Sequence, residues 1–259
     1  MNQIQAERSQ LIVLGASNVS NCTPEIASVG QAAFGPLDLF LAAGHGRSYL
    51  NKSSVLCRTL PGIGDSQIWK YLPRGSKKAI GVITDVGNDI LYEVPIKEIG
   101  LAVKRCVARL LEATPNVMIT GLPVESVQSL GKKRYLLMRS ILFPGNRTTL
   151  AEAVDRVLQV EEQLDSLARE FGIEKMEPKR DWFGFDPIHI RRQHRVTAWE
   201  FYLQKNQSSH PSKSQIRDAR LCRSQLRFLG HETKWLFGKQ RRSEQPTRVL
   251  ADGSRVFLF

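Results

Sequence analysis

The stretch Leu11–Ser20, LIVLGASNVS, contains four apolar residues that end at a glycine, after which a serine and an asparagine follow. A short apolar run that ends on glycine is typical of a buried strand and the turn after it. Two interpretations are open here. Either Ser17 or Asn18 caps the next helix, as these residue types often do, or Ser17 is a nucleophile placed at the carboxyl end of a strand.

Strand and helix patterns alternate over the first 203 residues. We predict five strands, at 11–15, 37–43, 79–86, 116–123 and 172–178, a further strand candidate at 53–60, and helices at 23–34, 66–72, 94–113, 134–143, 149–171 and 197–203. Such alternation is typical of a parallel sheet with helices on both faces. Ligands bind outside the carboxyl ends of the strands in sheets of this kind, so the position of Ser17 favours a chemical role.

The composition is that of an ordinary globular protein, with 42% hydrophobic and 24% charged residues among 259. No apolar run approaches the ~18 residues that a membrane-spanning helix needs, and the polar N-terminus does not resemble a secretory signal. The four cysteines are scattered without the spacing of metal ligands. We therefore expect a cytoplasmic protein that has neither a metal site nor a disulfide framework.

The net charge of +12 is concentrated towards the C-terminal end. Residues 205–259 hold 12 of the 37 Lys and Arg residues but only 4 of the 25 Asp and Glu residues. A polar stretch at 204–214 precedes a predicted helix at 215–229 and a predicted hairpin that turns at Asp252-Gly253. We predict two units: a domain at 1–203, and a small basic appendage at 204–259 made of a helix and a hairpin.

Aromatic and basic residues are interleaved at 215–242. Proteins that bind single-stranded nucleic acid use such a composition, but the sequence contains no RRM, KH or zinc-finger signature. We therefore expect the aromatic side chains to pack the appendage and the basic ones to face solvent, with no nucleic-acid partner.

Three further polar segments follow predicted strands or turns. They are PGIGDS at 61–66, GND at 87–89 and DPIH at 186–189. A serine hydroxyl becomes a nucleophile when an imidazole takes its proton, and a carboxylate fixes the tautomer of that imidazole. Main-chain N–H groups and an asparagine amide stabilise the negative charge that develops on a substrate oxygen. Together with Ser17, these segments contain the parts that acyl transfer needs.

In this order the segments resemble the sequence blocks of the SGNH (GDSL-type) hydrolases, a family of esterases, lipases, thioesterases and carbohydrate deacetylases. The resemblance covers about residues 10–203. It implies a flavodoxin-like three-layer α/β/α fold with a parallel five-stranded sheet. Two positions depart from the family pattern: Ala16 stands where the family carries an acid, and Asn18 stands where it carries a leucine.

The resemblance implies a role for each matched residue. Ser17 would be the nucleophile, His189 the general base and Asp186 the residue that orients His189. The oxyanion donors would be the N–H groups of Ser17 and Gly64 and the side-chain amide of Asn88. No cofactor is implied.

The glycine-rich turn after the second predicted strand carries two more candidates, His45 and Arg47. Either side chain could line the substrate pocket, and Arg47 could bind a substrate carboxylate. Asn18 is a third candidate substrate-binding residue. The alternative is that the polar side chains of this turn face water.

We predict a serine hydrolase that cleaves an acyl-ester, thioester or O-acetyl bond through an acyl-enzyme intermediate. Its substrate would be a small-molecule, glycan or lipid ester. Two alternatives use the same scaffold. One is an inactive binding protein whose basic tail holds an anionic partner, and the other is an acyltransferase in which an alcohol replaces water.

Overall fold

The computed structural model describes residues 8–142, 145–203, 224–226 and 229–259. The strands are β1 (Ser9–Leu14), β2 (Leu37–Ala42), β3 (Ser53–Val55), β4 (Arg58–Leu60), β5 (Ala79–Ile83), β6 (Val117–Thr120), β7 (Glu174–Met176), β8 (Thr233–Leu236), β9 (Lys239–Arg242), β10 (Arg248–Val249) and β11 (Arg255–Leu258). The helices are α1 (Ser17–Phe34), α2 (Asn88–Leu91), α3 (Ile96–Ala113), α4 (Val124–Gln128), α5 (Lys132–Leu142), α6 (Leu150–Phe171) and α7 (Arg195–Leu203). Within these ranges, no helix combines the length and the apolar character that crossing a membrane requires.

The main sheet has the strand order β10-β11-β2-β1-β5-β6-β7, and all its strands except β10 are parallel. Alternate residues of β1 enter two separate cores, as the period of a strand requires. Ile12 and Leu14 pack on the face covered by α3 and α6, whereas Leu11 and Val13 pack on the face covered by α1 and α7. The predicted three-layer α/β/α fold is confirmed.

The sheet has seven strands rather than the predicted five, because the hairpin of β10 and β11 joins it. β11 pairs in parallel with β2, and the guanidinium of Arg255 donates to the Asp38 carboxylate across that pairing (Nε–Oδ1 2.7 Å). Phe257 stacks on Phe40 with ring centroids 4.5 Å apart. The predicted hairpin is therefore confirmed, but it belongs to the main sheet rather than to a separate appendage. The predicted helix at 215–229 lies largely outside the described residues.

A second, antiparallel sheet has the order β3-β4-β8-β9. The single strand predicted at 53–60 is in fact a tight hairpin, which turns at Leu56 and Cys57. β4 pairs with β8, so the turn between β8 and β9 lies beside the turn between β3 and β4. The N–H of Phe237 donates to the carbonyl of Cys57 at 2.9 Å and joins the two turns.

Helix α1 begins at Ser17, six residues before the predicted start. Neither Ser17 nor Asn18 caps it with a side chain. The cap comes instead from the Asp85 carboxylate, which lies beyond the end of β5. The N–H groups that donate to Asp85 Oδ2 are those of Ala16, Asn18 and Val19, at 2.9, 2.9 and 3.3 Å. A carboxylate at a helix N-terminus is favourable for the helix dipole as well.

Candidate active site

Ser17, His189 and Asp186 form a chain of hydrogen bonds at the carboxyl edge of the main sheet. His189 Nε2 lies 2.7 Å from Ser17 Oγ, and His189 Nδ1 lies 2.5 Å from Asp186 Oδ2. Ser17 begins α1, three residues after the end of β1, whereas the other two residues lie on the loop before α7. The structure thus brings together three predicted residues from positions 172 apart in the chain.

The loop that carries the acid and the base is fixed by its own main chain. Asp186 Oδ1 accepts the N–H groups of Ile188 (3.0 Å) and His189 (3.2 Å), which leaves Oδ2 to the imidazole. Burial alone would raise the pKa of Asp186, but the hydrogen bond and charge of His189 outweigh it and lower the pKa. Burial would likewise lower the pKa of His189, but the hydrogen bond and charge of Asp186 prevail and raise it. The pair therefore stabilises the imidazolium form.

Asn18 holds the histidine loop against the start of α1. Its Nδ2 donates to Asp85 Oδ1 and to the carbonyl of Ile188, both at 2.8 Å, and its Oδ1 accepts the N–H of Ile190 at 2.9 Å. The amide thus bonds the main chain on both sides of His189. The prediction that Asn18 binds substrate is not supported, because the side chain is engaged with protein at both ends.

Asp85 was not among the predicted site residues. Its φ of +59° places a non-glycine residue in the left-handed region, where aspartate and asparagine are tolerated better than most residue types. In this conformation, the Asp85 carboxylate is hydrogen-bonded to the start of α1 and to the side chain of Asn18. The sequence showed only an acid after a strand, which did not distinguish it from the neighbouring Asp89.

The three predicted oxyanion donors are placed differently. Ser17 is the first residue of α1, where N–H groups have no partner within the helix. Asn88 lines the pocket described below, and among the described residues its amide donates one hydrogen bond, to the Arg47 carbonyl at 3.1 Å, so its second N–H has no partner there. Gly64 contradicts the prediction. Its N–H donates to the Tyr49 carbonyl (3.1 Å), and its carbonyl accepts from Arg109 in the last turns of α3, away from the carboxyl edge.

The glycine-rich turn after β2 lies at the same edge as Ser17. His45 is exposed at the surface there, and partial burial of its ring and the charges of Arg58 and His189 lower its pKa. Its N–H and that of Gly46 make no hydrogen bond among the described residues. The sequence predicted a glycine oxyanion donor in the later PGIGDS segment. The turn that carries His45 instead follows β2, which is the parallel neighbour of β1.

Arg47 contradicts the prediction that it binds substrate. Its side chain is fully buried, and its guanidinium donates to the main-chain oxygens of Ala43 (3.2 Å), Pro61 (3.0 Å) and Phe259. Burial and the charge of Arg58 lower its pKa to about 9. The Arg47 side chain therefore holds three main-chain segments together by hydrogen bonds and is not part of the pocket lining.

Two buried side chains fix the backbone beneath the site. The Tyr49 hydroxyl lies 2.9 Å from the Leu14 carbonyl and 2.6 Å from the Thr84 carbonyl, at the ends of β1 and β5. The Asp89 carboxylate accepts the Tyr49 N–H at 2.8 Å and the hydroxyl of Ser48. Burial raises the pKa of Asp89, although both hydrogen bonds oppose the shift. The ends of adjacent strands are thereby held in register under Ser17.

An apolar pocket opens beside Ser17, between the carboxyl ends of β1, β5 and β6 and helices α4, α5 and α6. Ser17 and Asn88 contribute polar atoms at one end. Its apolar lining includes Leu122, Val127, Leu130, Met138, Ala153 and Val157. Pockets that are mostly apolar with a few convergent polar groups are typical ligand sites.

Several solved structures share this fold. A carbohydrate acetylesterase family member from Sinorhizobium meliloti superposes with a TM-score of 0.54 at 12% identity, over 76% of this chain and 96% of that one. Est24, a carbohydrate acetylesterase from the same organism, gives 0.50 at 13%, over 77% and 98%. The native M. smegmatis aryl esterase gives 0.52 at 11%, over 76% and 98%. No family model and no curated protein sequence matches this chain.

These similarities extend over nearly the whole length of each neighbour, and the described architecture has the same central parallel sheet between two layers of helices. The chain therefore has the fold of the SGNH hydrolases.

Proposed function

We propose that this protein is a serine esterase, which hydrolyses an ester through an acyl-enzyme intermediate. The observation that carries the proposal is the hydrogen-bonded chain from Ser17 through His189 to Asp186, beside an apolar pocket. Acyl transfer requires a nucleophile, a base and a group that orients the base, each within hydrogen-bonding distance of the next.

In the first half-reaction, Ser17 Oγ attacks the acyl carbon while His189 Nε2 takes its proton. Asp186 holds the other proton on Nδ1 and stabilises the imidazolium. When the tetrahedral intermediate collapses, His189 gives its proton to the leaving alcohol and the acyl group stays on Ser17. In the second half-reaction a water molecule attacks, His189 takes its proton and returns a proton to Ser17 Oγ, and the carboxylic acid leaves.

The oxyanion would be held by the N–H of Ser17 and the free N–H of the Asn88 amide. The uncommitted N–H groups of His45 and Gly46 are further donors at the same edge. We omit Gly64, because the Tyr49 carbonyl occupies its N–H. Each such donor is worth roughly 3 kcal/mol of transition-state stabilisation in hydrolases that have been tested.

The acyl part of the substrate would occupy the pocket, because most of its lining is apolar, including Val127 of α4, Met138 of α5 and Val157 of α6. The alcohol part would leave on the opposite side, towards the partly exposed turn that carries His45. An ester with an aliphatic acyl chain fits this division better than one whose acyl part is charged, since a charge in an apolar pocket would lose its hydration.

The test is an activity-based probe. A fluorophosphonate should label the purified protein, and mass spectrometry should place the label on the peptide that contains Ser17. A Ser17→Ala variant should lose labelling and should hydrolyse p-nitrophenyl esters at least about 10⁴-fold more slowly, with an unchanged circular dichroism spectrum. Ser20→Ala, at a serine one turn further along α1, is the matched control and should retain both. The absence of labelling and turnover over a broad panel of esters would refute the proposal.

A further inference from the structure

The β3–β4 and β8–β9 turns lie next to each other, and each carries one large apolar side chain that is exposed to solvent. Leu56 is 99% exposed and Phe237 is 75% exposed. The hydrogen bond from the Phe237 N–H to the Cys57 carbonyl keeps the turns adjacent. Both residues have a positive φ, +54° and +49°. Bulky residues are uncommon in this region of backbone conformation, because their Cβ crowds the main chain, whereas glycine and asparagine adopt it at lower cost.

The strands behind these turns are strongly basic. Neither 52–60 nor 233–242 contains an acidic residue. The six cations of these segments are Lys52, Arg58, Lys234, Lys239, Arg241 and Arg242. No carboxylate in the described part of the chain forms an ion pair with any of them. We refer to Leu56, Phe237 and these six residues as the hairpin-tip patch.

We propose that the hairpin-tip patch docks the protein on an anionic lipid surface. Apolar side chains at the tips would enter the boundary between headgroups and acyl chains, while the cations behind them contact anionic headgroups. This division of apolar and basic residues is the one that peripheral membrane-binding segments use.

Two other occupants fit the patch less well. A second copy of this chain would bring twelve like charges together, which opposes association. Single-stranded nucleic acid needs exposed aromatic faces for stacking. Here the patch offers one exposed aromatic ring, that of Phe237, too few for successive bases to stack on, and the ammonium group of Lys52 lies over the neighbouring Trp235 ring at 4.8 Å from its centroid.

The experiment is co-sedimentation of the full chain with lipid vesicles. Vesicles with equal parts of phosphatidylcholine and phosphatidylglycerol should bind the protein, phosphatidylcholine alone should bind it at least about tenfold less, and salt should weaken the binding. Failure of the wild-type protein to bind the anionic vesicles overturns the proposal.

The tip variant combines Leu56→Asn with Phe237→Asn. Asparagine tolerates a positive φ better than leucine or phenylalanine, so the fold should be retained, and vesicle binding should fall about tenfold or more. The matched control is Leu137→Gln with Ile141→Gln, which removes two exposed apolar side chains from α5 and should leave binding unchanged. If the control loses binding and the tip variant keeps it, the proposal is wrong.

Two further measurements separate the alternatives. Arg241→Gln with Arg242→Gln should weaken the preference for anionic vesicles and reduce the effect of salt. Ser17→Ala should bind vesicles as the wild type does, so the docking proposal stands or falls independently of esterase activity. Tight binding of a labelled single-stranded RNA without vesicle binding, or dimerisation through the patch without vesicle binding, would each overturn it.

Discussion

The side-chain amide of Asn18 donates a 2.8 Å hydrogen bond to the carboxylate of Asp85, and this pair connects the nucleophile segment to the histidine loop. Asp85 bonds the first N–H groups of α1, and Asn18 bonds the main chain on both sides of His189. The relative position of Ser17 and His189 therefore depends on two residues that lie outside the hydrogen-bonded chain itself.

Replacing Asn18 by leucine should misplace the base. We expect Asn18→Leu to lower kcat about 100-fold, because small displacements of catalytic groups have effects of this size, with little change in KM. Steady-state kinetics on a short-chain p-nitrophenyl ester would measure this. Asn51→Leu, at an exposed asparagine, should leave kcat unchanged, and equal losses in the two variants would contradict the assigned role.

Activity should fall on acidification at a pH above the ordinary histidine pKa of 6.5. Catalysis needs neutral His189, and Asp186 raises the pKa of this imidazole despite its burial. As the pH decreases through that raised pKa, the imidazole takes up a proton and can no longer act as a base. A pH profile of kcat/KM tests this, and an acid limb with a midpoint below 6.5 would disagree.

Asp85→Asn should move the acid limb of this profile to lower pH. The Asp85 charge contributes to the raised pKa of His189, and its loss makes the imidazole easier to deprotonate. Asparagine tolerates the positive φ and its Oδ1 can still accept the N–H groups of α1, but its Nδ2 cannot accept the hydrogen bond that Asp85 Oδ1 accepts from Asn18, so stability and kcat should fall as well. A variant whose profile coincides with that of the wild type would show that this charge does not act on His189.

The lining of the pocket predicts how substitutions at Val157 and Met138 should change the preferred length of the acyl chain. Val157→Phe adds volume to the pocket wall and should reduce kcat/KM for long acyl chains more than for an acetate ester. Met138→Ala removes volume and should shift the preference towards longer chains. A series of p-nitrophenyl esters of increasing chain length measures both effects. Equal changes at every chain length in both variants would argue that the acyl group binds elsewhere.

Phe257→Ala should destabilise the whole fold. Phe257 is 7% exposed and stacks on Phe40 of the main sheet, and truncation of a buried phenylalanine costs about 3 kcal/mol or more. Chemical denaturation should show this loss in one cooperative transition. An early, separate transition confined to the C-terminal hairpin would mean that β10 and β11 are a detachable unit.

The core of the fold was predictable because its signals are local. The four apolar residues that end at Gly15 and the helical pattern of 149–171 are local signals in the sequence, and both mark elements that the structure contains. The β11–β2 pairing was not predictable in the same way. Nothing within a strand of four residues indicates which distant edge it joins, and here Asp38 and Arg255 are 217 residues apart.

In the candidate site, too, some features could be predicted from local sequence and others depend on contacts between distant segments. Ser17, Asp186 and His189 could be named because the spacing of their segments resembles a family pattern. The start of α1, the partners of Asn18 and the burial of Arg47 depend on Asp85 and on loop contacts between distant segments. The assignment of Gly64 failed for this reason, since its N–H is taken by a carbonyl from a neighbouring loop.

The place of β11 has a consequence for biosynthesis. Because β2 emerges from the ribosome long before β11, the outer edge of β2 has no strand beside it while the roughly 200 residues between them are made. Unpaired strand edges are prone to join other chains. The nascent protein thus passes through a stage in which its sheet is extendable, and this stage ends only when β11 pairs with β2.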